Sequence, residues 1–220
     1  MGLITLSVAG CSSYRDPTTV AAVKTFQDVL VGNEVTIDDP RLFSMPYATL
    51  WIGVEGYTST GGVLGKVNHR EMSWYMPDAS YVQTNYGRLI RTGNFVGNNT
   101  HITLTHDALS DPASLLAGKQ GTASGVFDGS LHNLYQLAFS STLEPEGIEF
   151  FKPLKRNLFR VSEHLSIPAV GFSADNTYWL DPVSGKVIAS RQYMHPDLPP
   201  VWLAEAKPYV AAASDKEGRK

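Results

Sequence analysis

The chain of 220 residues is long enough for one large domain or two small ones, and 43% hydrophobic residues exclude a disordered protein. A formal net charge of −3 leaves no basic excess to neutralise phosphates, which argues against nucleic-acid binding. The single cysteine excludes an intrachain disulfide and every CxxC-type metal site.

The first motif along the chain is the short stretch that ends at Cys11. The small residues Val8–Gly10 are typical of a lipobox, where a bacterial signal peptide is cleaved before an acylated cysteine. We predict a partial signal peptide at 1–10, a lipid on Cys11 and a polar tether at 11–15. Ser12 is compatible with transport to the outer membrane. Residues 1–10 lack Lys and Arg, so a basic extension upstream is expected. The alternative is a buried structural cysteine.

The next segment carries the end signals of a helix. Asp16 is a favourable N-cap, Pro17 fits the first helical position, and Gly32 suits the C-terminal end. Apolar residues between them follow helical spacing, as at Val20 and Leu30. We therefore predict an N-terminal α-helix.

Beyond this helix the apolar residues recur with a period of about 2 rather than about 3.6, which predicts strands. A helical turn is predicted at Pro112–Leu116 after Asp111, and the Gly-rich stretch 118–130 is predicted to be a loop. The segment "DPVSGKV" has the turn residues of a hairpin. The predicted strands are 45–54, 63–67, 71–76, 81–84, 88–92, 101–106, 131–145, 147–151, 158–166, 169–174, 176–182 and 186–194.

So many short strands predict a mainly β fold in which neighbouring strands are antiparallel. A single sheet would leave one apolar face uncovered, so we expect an antiparallel β-barrel or a two-layer β-sandwich. One domain spans 16–210, including the N-terminal α-helix. The polar residues 211–220 are expected to form a disordered tail.

No compact catalytic or metal motif is present in the sequence. The six histidines form neither HxH nor HExxH, and "GTASG" departs from the GxSxG pattern of a nucleophile elbow, so we predict no metal, no cofactor and no enzyme. Folding can still bring two scattered carboxylates together, which leaves a glycosidase-type pair open. Four tryptophans and ten tyrosines suit either core packing or stacking on sugar rings.

Four segments together carry a family resemblance. They are Cys11 with the helix segment "TVAAVKTFQDVL", the block from "MPYATLWIGV" through "MSWYMPDASYVQTNYGRLIRT", the block "TYWLDPVSGKVIASRQ", and the closing "LPPVWLAEAKP". In these segments the chain resembles the YjbF/GfcB family of outer-membrane lipoproteins, which is associated with group 4 capsule and exopolysaccharide gene clusters. The similarity is firmest in the second and third segments.

The resemblance implies a periplasmic β domain anchored to outer-membrane lipid through acylated Cys11. It implies a role in polysaccharide secretion or surface assembly, together with other products of the same gene cluster. We therefore predict a non-enzymatic accessory factor that binds a partner protein of the cluster or the nascent polysaccharide, and no nucleic acid. Exposed aromatic and Arg side chains would carry this binding, and we select Trp74, Tyr86, Arg88 and Arg191 as candidates. The alternative is a periplasmic polysaccharide-modifying enzyme with a carboxylate site assembled by folding.

Overall fold

The computed structural model describes residues 34–129 and 135–210. Cys11, the helix predicted from Asp16 to Gly32, and the predicted tail 211–220 lie outside these described residues. All structural statements below therefore concern the part of the domain that follows the predicted tether and helix.

The described residues form a closed antiparallel barrel of twelve strands. Each strand pairs with the next along the chain, and the first pairs with the last. The predicted mainly β fold is confirmed, as a barrel rather than a sandwich, and closure removes the exposed sheet edges that favour aggregation. The strands are β1 Thr49–Val54, β2 Thr60–Asn68, β3 Glu71–Tyr75, β4 Tyr81–Asn85, β5 Arg88–Phe95, β6 Asn98–Asp107, β7 Gly121–Gly129, β8 Tyr135–Phe151, β9 Arg156–Ile167, β10 Phe172–Leu180, β11 Val187–Gln192 and β12 Val201–Lys207.

Because the strands run alternately up and down, every second connection lies at the same end of the barrel. The β2–β3 turn at His69–Arg70, the β4–β5 turn at Tyr86–Gly87 and the β10–β11 hairpin share one end, which we call the mouth end. The β1–β2 and β3–β4 connections lie at the opposite end, which we call the far end.

Strand β12 shows how side chains that alternate along a strand face the inside and the outside of the barrel. Val201 and Leu203 join a core cluster that also contains Leu50 and Ile52 of β1. Trp202, between them, packs on the opposite face of the sheet with a different cluster. Alternate residues therefore supply the barrel interior and its outer surface.

Within residues 34–129 and 135–210, two short α-helices accompany the barrel: α1 at Pro40–Ser44 and α2 at Pro112–Leu116. Helix α1 was not predicted; it packs Leu42 against Val63 and Ala206. Helix α2 has the predicted bounds and begins after Asp111, with Pro112 at its first position, where a missing N–H costs nothing.

The segment before α1 lies against the far end of the barrel. The Val35 N–H donates to the Ser59 carbonyl oxygen at 3.2 Å, and the Trp51 Nε1–H donates to the Val35 carbonyl oxygen at 2.6 Å. From there the chain runs to α1 and enters β1 at the mouth end.

The prediction of a loop at 118–130 is wrong, because most of this segment forms strand β7. Small residues and glycines indicated a loop, but tertiary pairing with β6 and β8 decides the structure. Gly125 is required by this pairing, since a Cβ there would lie 2.3 Å from the Thr103 carbonyl oxygen on β6.

Two pairs of predicted strands are continuous in the structure. The strands predicted at 131–145 and 147–151 are, over their described residues, the single strand β8, whose pairing with β9 shifts between Pro145 and Gly147. Residues 131–134 lie outside the described residues. The predictions 169–174 and 176–182 similarly become β10 after a short 3-10 turn. Strand β12 was not predicted. The hairpin between β10 and β11 is confirmed by reciprocal bonds between Asp181 and its neighbours Gly185 and Lys186.

Candidate functional site

The mouth end opens into a cavity of about 540 Å³, which we call the mouth cavity. Its floor is apolar and consists of Leu50, Met72, Trp74 and Leu203. Its entrance is formed by the turns that share the mouth end and by the segment that leads into α2. A cavity of this size, with an apolar floor and polar side chains elsewhere in its lining, has the general form of a small-molecule site.

Two glycines allow the turns of the mouth end to pack closely against their neighbours. A Cβ on Gly87 would lie 2.3 Å from the Val187 Cβ, and a Cβ on Gly185 would lie 2.6 Å from the Pro112 Cβ. The β4–β5 turn thus packs directly on β11, and the β10–β11 hairpin packs directly on α2. Close packing of this kind preforms the cavity instead of leaving its walls to be ordered by a ligand.

Asp181 stabilises the hairpin that forms one wall. Its carboxylate accepts hydrogen bonds from the Val183 and Ser184 backbone N–H groups at 3.1 and 2.8 Å, and Arg156 pairs with it at 2.6 Å. These hydrogen bonds, above all those from Ser184, lower the pKa of Asp181 despite its partial burial. The hairpin therefore has a fixed internal carboxylate that is not available to a ligand.

Aromatic and basic side chains meet at the entrance. The Arg70 guanidinium lies over the Tyr86 ring, 5.5 Å from its centroid. Tyr86 has a positive φ of 48°, which the tight β4–β5 turn imposes on it. Lys186 also lines the cavity, and its ammonium forms an ion pair of 2.5 Å with Glu205 on β12.

A separate polar cluster lies inside the barrel, which we call the buried network. Arg88 donates to the Asp107 carboxylate at 2.8 and 3.1 Å and to the Glu163 carboxylate at 2.8 and 3.0 Å. Glu163 is 0% exposed and also accepts hydrogen bonds from Ser141, Asn176 and Tyr178. Every oxygen of this carboxylate is therefore satisfied by protein groups.

The electrostatics of the buried network favour fixed charges over proton transfer. Burial opposes ionisation of Glu163, but the charge and hydrogen bonds of Arg88 and the bonds from Ser141 and Asn176 outweigh it and lower its pKa. Burial raises the pKa of Tyr178 well above its usual value, so its hydroxyl stays a donor to Glu163. A general acid at neutral pH needs a carboxyl with a raised pKa, which Glu163 lacks.

The outer face of the sheet carries a row of aromatic rings, of which Trp179 is buried. The Trp179 and Trp202 rings stack with centroids 5.9 Å apart and an interplanar angle of 16°. The Arg191 guanidinium lies 5.9 Å from the Trp202 centroid and 5.3 Å from that of Tyr193. We call Arg191 and these three rings the outer row.

The four candidate binding residues are thus divided among three places. Trp74 and Tyr86 both line the mouth cavity, Arg88 is the centre of the buried network, and Arg191 belongs to the outer row. The expectation that all four are exposed is wrong for Trp74 and Arg88, which are 3% and 4% exposed. Trp74 points into the core with its Nε1–H bonded to Thr84, and Arg88 is retained inside by two carboxylates.

Arg70 and the carboxylates of the buried network were missed by sequence reasoning. Arg70 follows His69 in a charged turn, which gave no sign that it would face Tyr86. Asp107 and Glu163 lie 19 and 75 residues from Arg88, so no local pattern connects them.

Residues 34–129 and 135–210 contain neither a metal cluster nor a membrane-spanning helix. In these two ranges, no three His, Cys, Asp or Glu side chains converge in a way that could hold a metal ion. In the same ranges no helix has the length and apolar character needed to cross a bilayer.

Comparison with known proteins agrees with this architecture. Residues 20–204 match the family model described as group 4 capsule polysaccharide lipoprotein GfcB, YjbF. The uncharacterized lipoprotein GfcB of Escherichia coli K12 is 26% identical over 212 residues, which cover 94% of this chain and 97% of that protein. The crystal structure of the hypothetical lipoprotein YmcC from Escherichia coli K12 has the same fold, with a TM-score of 0.70 and 22% identity over 90% of this chain and 100% of that one. The chain belongs to the YjbF family of group 4 capsule polysaccharide lipoproteins.

Proposed function

We propose that this protein is an outer-membrane-anchored, periplasm-facing accessory lipoprotein of capsule or exopolysaccharide secretion. It binds a segment of the nascent polysaccharide in the mouth cavity and catalyses no reaction on it. Membership of the capsule lipoprotein family supports the setting. The observation that carries the binding role is the preformed mouth cavity, with Trp74 in its floor and Tyr86 at its entrance.

A saccharide fits the chemistry of this cavity. Sugar rings have apolar C–H faces and polar hydroxyl edges, so they bind where aromatic or aliphatic walls meet a few polar groups. The floor offers Leu50, Met72 and Trp74, and the entrance offers the Tyr86 ring beside Arg70 and Ser110. The volume of about 540 Å³ lies within the usual range for small-molecule sites.

The carboxylates of the described residues support binding without catalysis. A glycosidase of the common type needs two carboxyl groups flanking the scissile bond. Among the residues that line the mouth cavity, Glu205 is the single carboxylate, and it is paired with Lys186. Asp107 and Glu163 do converge, but they enclose Arg88 within the buried network, where no sugar can reach them.

Replacing Tyr86 with Asn tests the binding role. Asn tolerates a positive φ, so the turn is kept while the ring is lost. We expect binding of oligosaccharides released from the cell's own capsule to weaken by about two- to twelvefold, because an aromatic contact contributes about 0.5–1.5 kcal/mol. Calorimetric titration measures the dissociation constants. Tyr57→Asn, in the β1–β2 connection at the far end, is the matched control and is expected to bind like wild type. Wild-type affinity in Tyr86→Asn would contradict the proposal.

Replacing Cys11 with Ser tests the anchoring and the partners. Acyl chains stabilise membrane attachment by about 0.8 kcal/mol per buried CH₂, so their loss is expected to release the protein from the outer-membrane fraction. Crosslinking and pull-down from cells that make the polysaccharide should then recover fewer proteins of the same gene cluster with Cys11→Ser than with wild type. Equal membrane fractions for the two proteins would show that Cys11 carries no anchor.

A further inference from the structure

We propose that the mouth cavity selects an acidic sugar, whose carboxylate pairs with Arg70 while its ring lies in the cavity beside Tyr86. This inference rests on the proposed saccharide-binding function and adds the class of sugar. It follows from the distribution of charge at the entrance, from the position of Arg70, and from the number of uncompensated cations.

The first step concerns the charges that line the cavity. Three basic residues are among them, namely His69, Arg70 and Lys186, against the single carboxylate Glu205. Glu205 is half of an ion pair with Lys186, so these two charges largely cancel. The Arg70 guanidinium remains as an uncompensated positive charge, which favours an anionic ligand.

The second step concerns the geometry of Arg70. Its side chain is exposed, and its guanidinium makes no ion pair with a carboxylate of residues 34–129 or 135–210. The Tyr86 ring lies under the guanidinium, 5.5 Å away from centroid to Cζ. Contact with an aromatic face orients the plane of the guanidinium and leaves its N–H edges free, and these edges match the two oxygens of a carboxylate.

The third step favours a carboxylate over a phosphate monoester. A phosphate monoester carries nearly two negative charges at neutral pH and is best matched by two cations. Only Arg70 has an uncompensated permanent charge among the described residues at this entrance, because Lys186 is paired with Glu205. One guanidinium matches the single charge of a uronic acid.

The test compares two chemically matched probes on the whole purified protein. Cellotetraose and the corresponding tetrasaccharide of glucuronic acid differ in the group on C5 of each ring, which is a hydroxymethyl in one and a carboxylate in the other. We expect the acidic probe to bind at least tenfold more tightly at low salt, and its affinity to fall as salt is added. Equal affinity for the two probes, or no detectable binding of either, would overturn the inference.

The Arg70→Gln variant tests whether Arg70 is responsible for the preference for the acidic probe. Gln keeps a polar side chain without the charge, so the acidic probe is expected to bind no better than cellotetraose. Arg91→Gln removes an exposed arginine on β5 that bonds His101 and does not line the cavity; it should keep the preference. A preference for the acidic probe that persists in Arg70→Gln would overturn the assignment to Arg70. If cellotetraose phosphorylated on O6 bound more tightly than the acidic probe, the choice of a carboxylate over a phosphate would be overturned.

Titration with the capsule oligosaccharides in the same series separates this inference from the proposed function. Binding of those oligosaccharides that depends on Tyr86, without a preference for the acidic probe, would refute the inference alone. Failure of the capsule oligosaccharides to bind would refute the proposed function.

Discussion

An Arg88→Met variant is expected to lose about 3–5 kcal/mol of the free energy of unfolding at neutral pH. Methionine fills much of the arginine volume, so the loss reports charge rather than a cavity. Without the guanidinium, Asp107 and Glu163 remain buried without a cation, and removing one member of a buried ion pair is strongly destabilising. Urea unfolding followed by tryptophan fluorescence measures the change.

Arg156→Met is the matched control, because it removes a far more exposed arginine from its pair with Asp181. An exposed pair of this kind contributes about 0–1 kcal/mol, so this variant should stay close to wild type. Combining Arg88→Met with Glu163→Gln removes one orphaned charge and should cost less than the sum of the two single changes. Equal losses in Arg88→Met and Arg156→Met would show that the buried network contributes no more than a surface pair.

The pH dependence of the same variant gives an independent readout. In wild type the pKa of Glu163 is lowered, so its contribution is complete above the unfolded-state pKa of about 4.3 and is lost as the pH falls through the folded-state value. In Arg88→Met the burial of Glu163 is no longer offset by the arginine, and its pKa should rise. The free energy of unfolding of the variant then decreases as the pH rises through this range. The difference in stability between the variant and wild type should therefore be smaller at about pH 4 than at pH 7.

A Gly87→Ala variant is expected to lose about 2–5 kcal/mol of the free energy of unfolding and to distort the mouth cavity. Gly87 has a φ of 86°, where a Cβ alone costs about 1–2 kcal/mol. The added methyl would also lie 2.3 Å from the Val187 Cβ, and overpacking adds about 1–3 kcal/mol. Thermal and urea unfolding measure the loss, and titration with capsule oligosaccharides measures the effect on the cavity.

Gly56→Ala separates strain from steric overlap. Gly56 has a φ of 82°, but a Cβ added there would meet no atom within 4 Å, so only the backbone strain applies. The double variant Gly87→Ala/Val187→Ala should recover part of the loss by making room for the new methyl group. If Gly56→Ala and Gly87→Ala lost the same amount, close packing between the β4–β5 turn and β11 would have no energetic role.

Local patterns predicted the parts of the fold that local chemistry decides. The Asp181–Lys186 hairpin and helix α2 follow from their own turn and capping residues, and both lie where they were predicted. Strand β7 does not follow from local chemistry: Gly125 permits close approach to β6, which matters only once β6 is its neighbour. Its small residues therefore indicated a loop.

The site was harder to predict than the fold because it is assembled from distant segments. The hairpin "NYGRLIRT" suggested both Tyr86 and Arg88 as candidates, but the two side chains lie in different environments. Tyr86 faces the entrance beside Arg70, whereas Arg88 pairs with carboxylates on β6 and β9. The arrangement of the strands in the closed barrel determines which residues the Tyr86 and Arg88 side chains contact.

The hydrogen bond between Val35 and Ser59 bears on how the barrel is oriented in the envelope. It holds the start of the described chain at the far end, whereas β1 begins at the mouth end. If the acyl anchor proposed for Cys11 pulls on the chain through Val35, the bilayer lies toward the far end. The mouth cavity would then open away from the membrane, into the space that an exported polymer must cross.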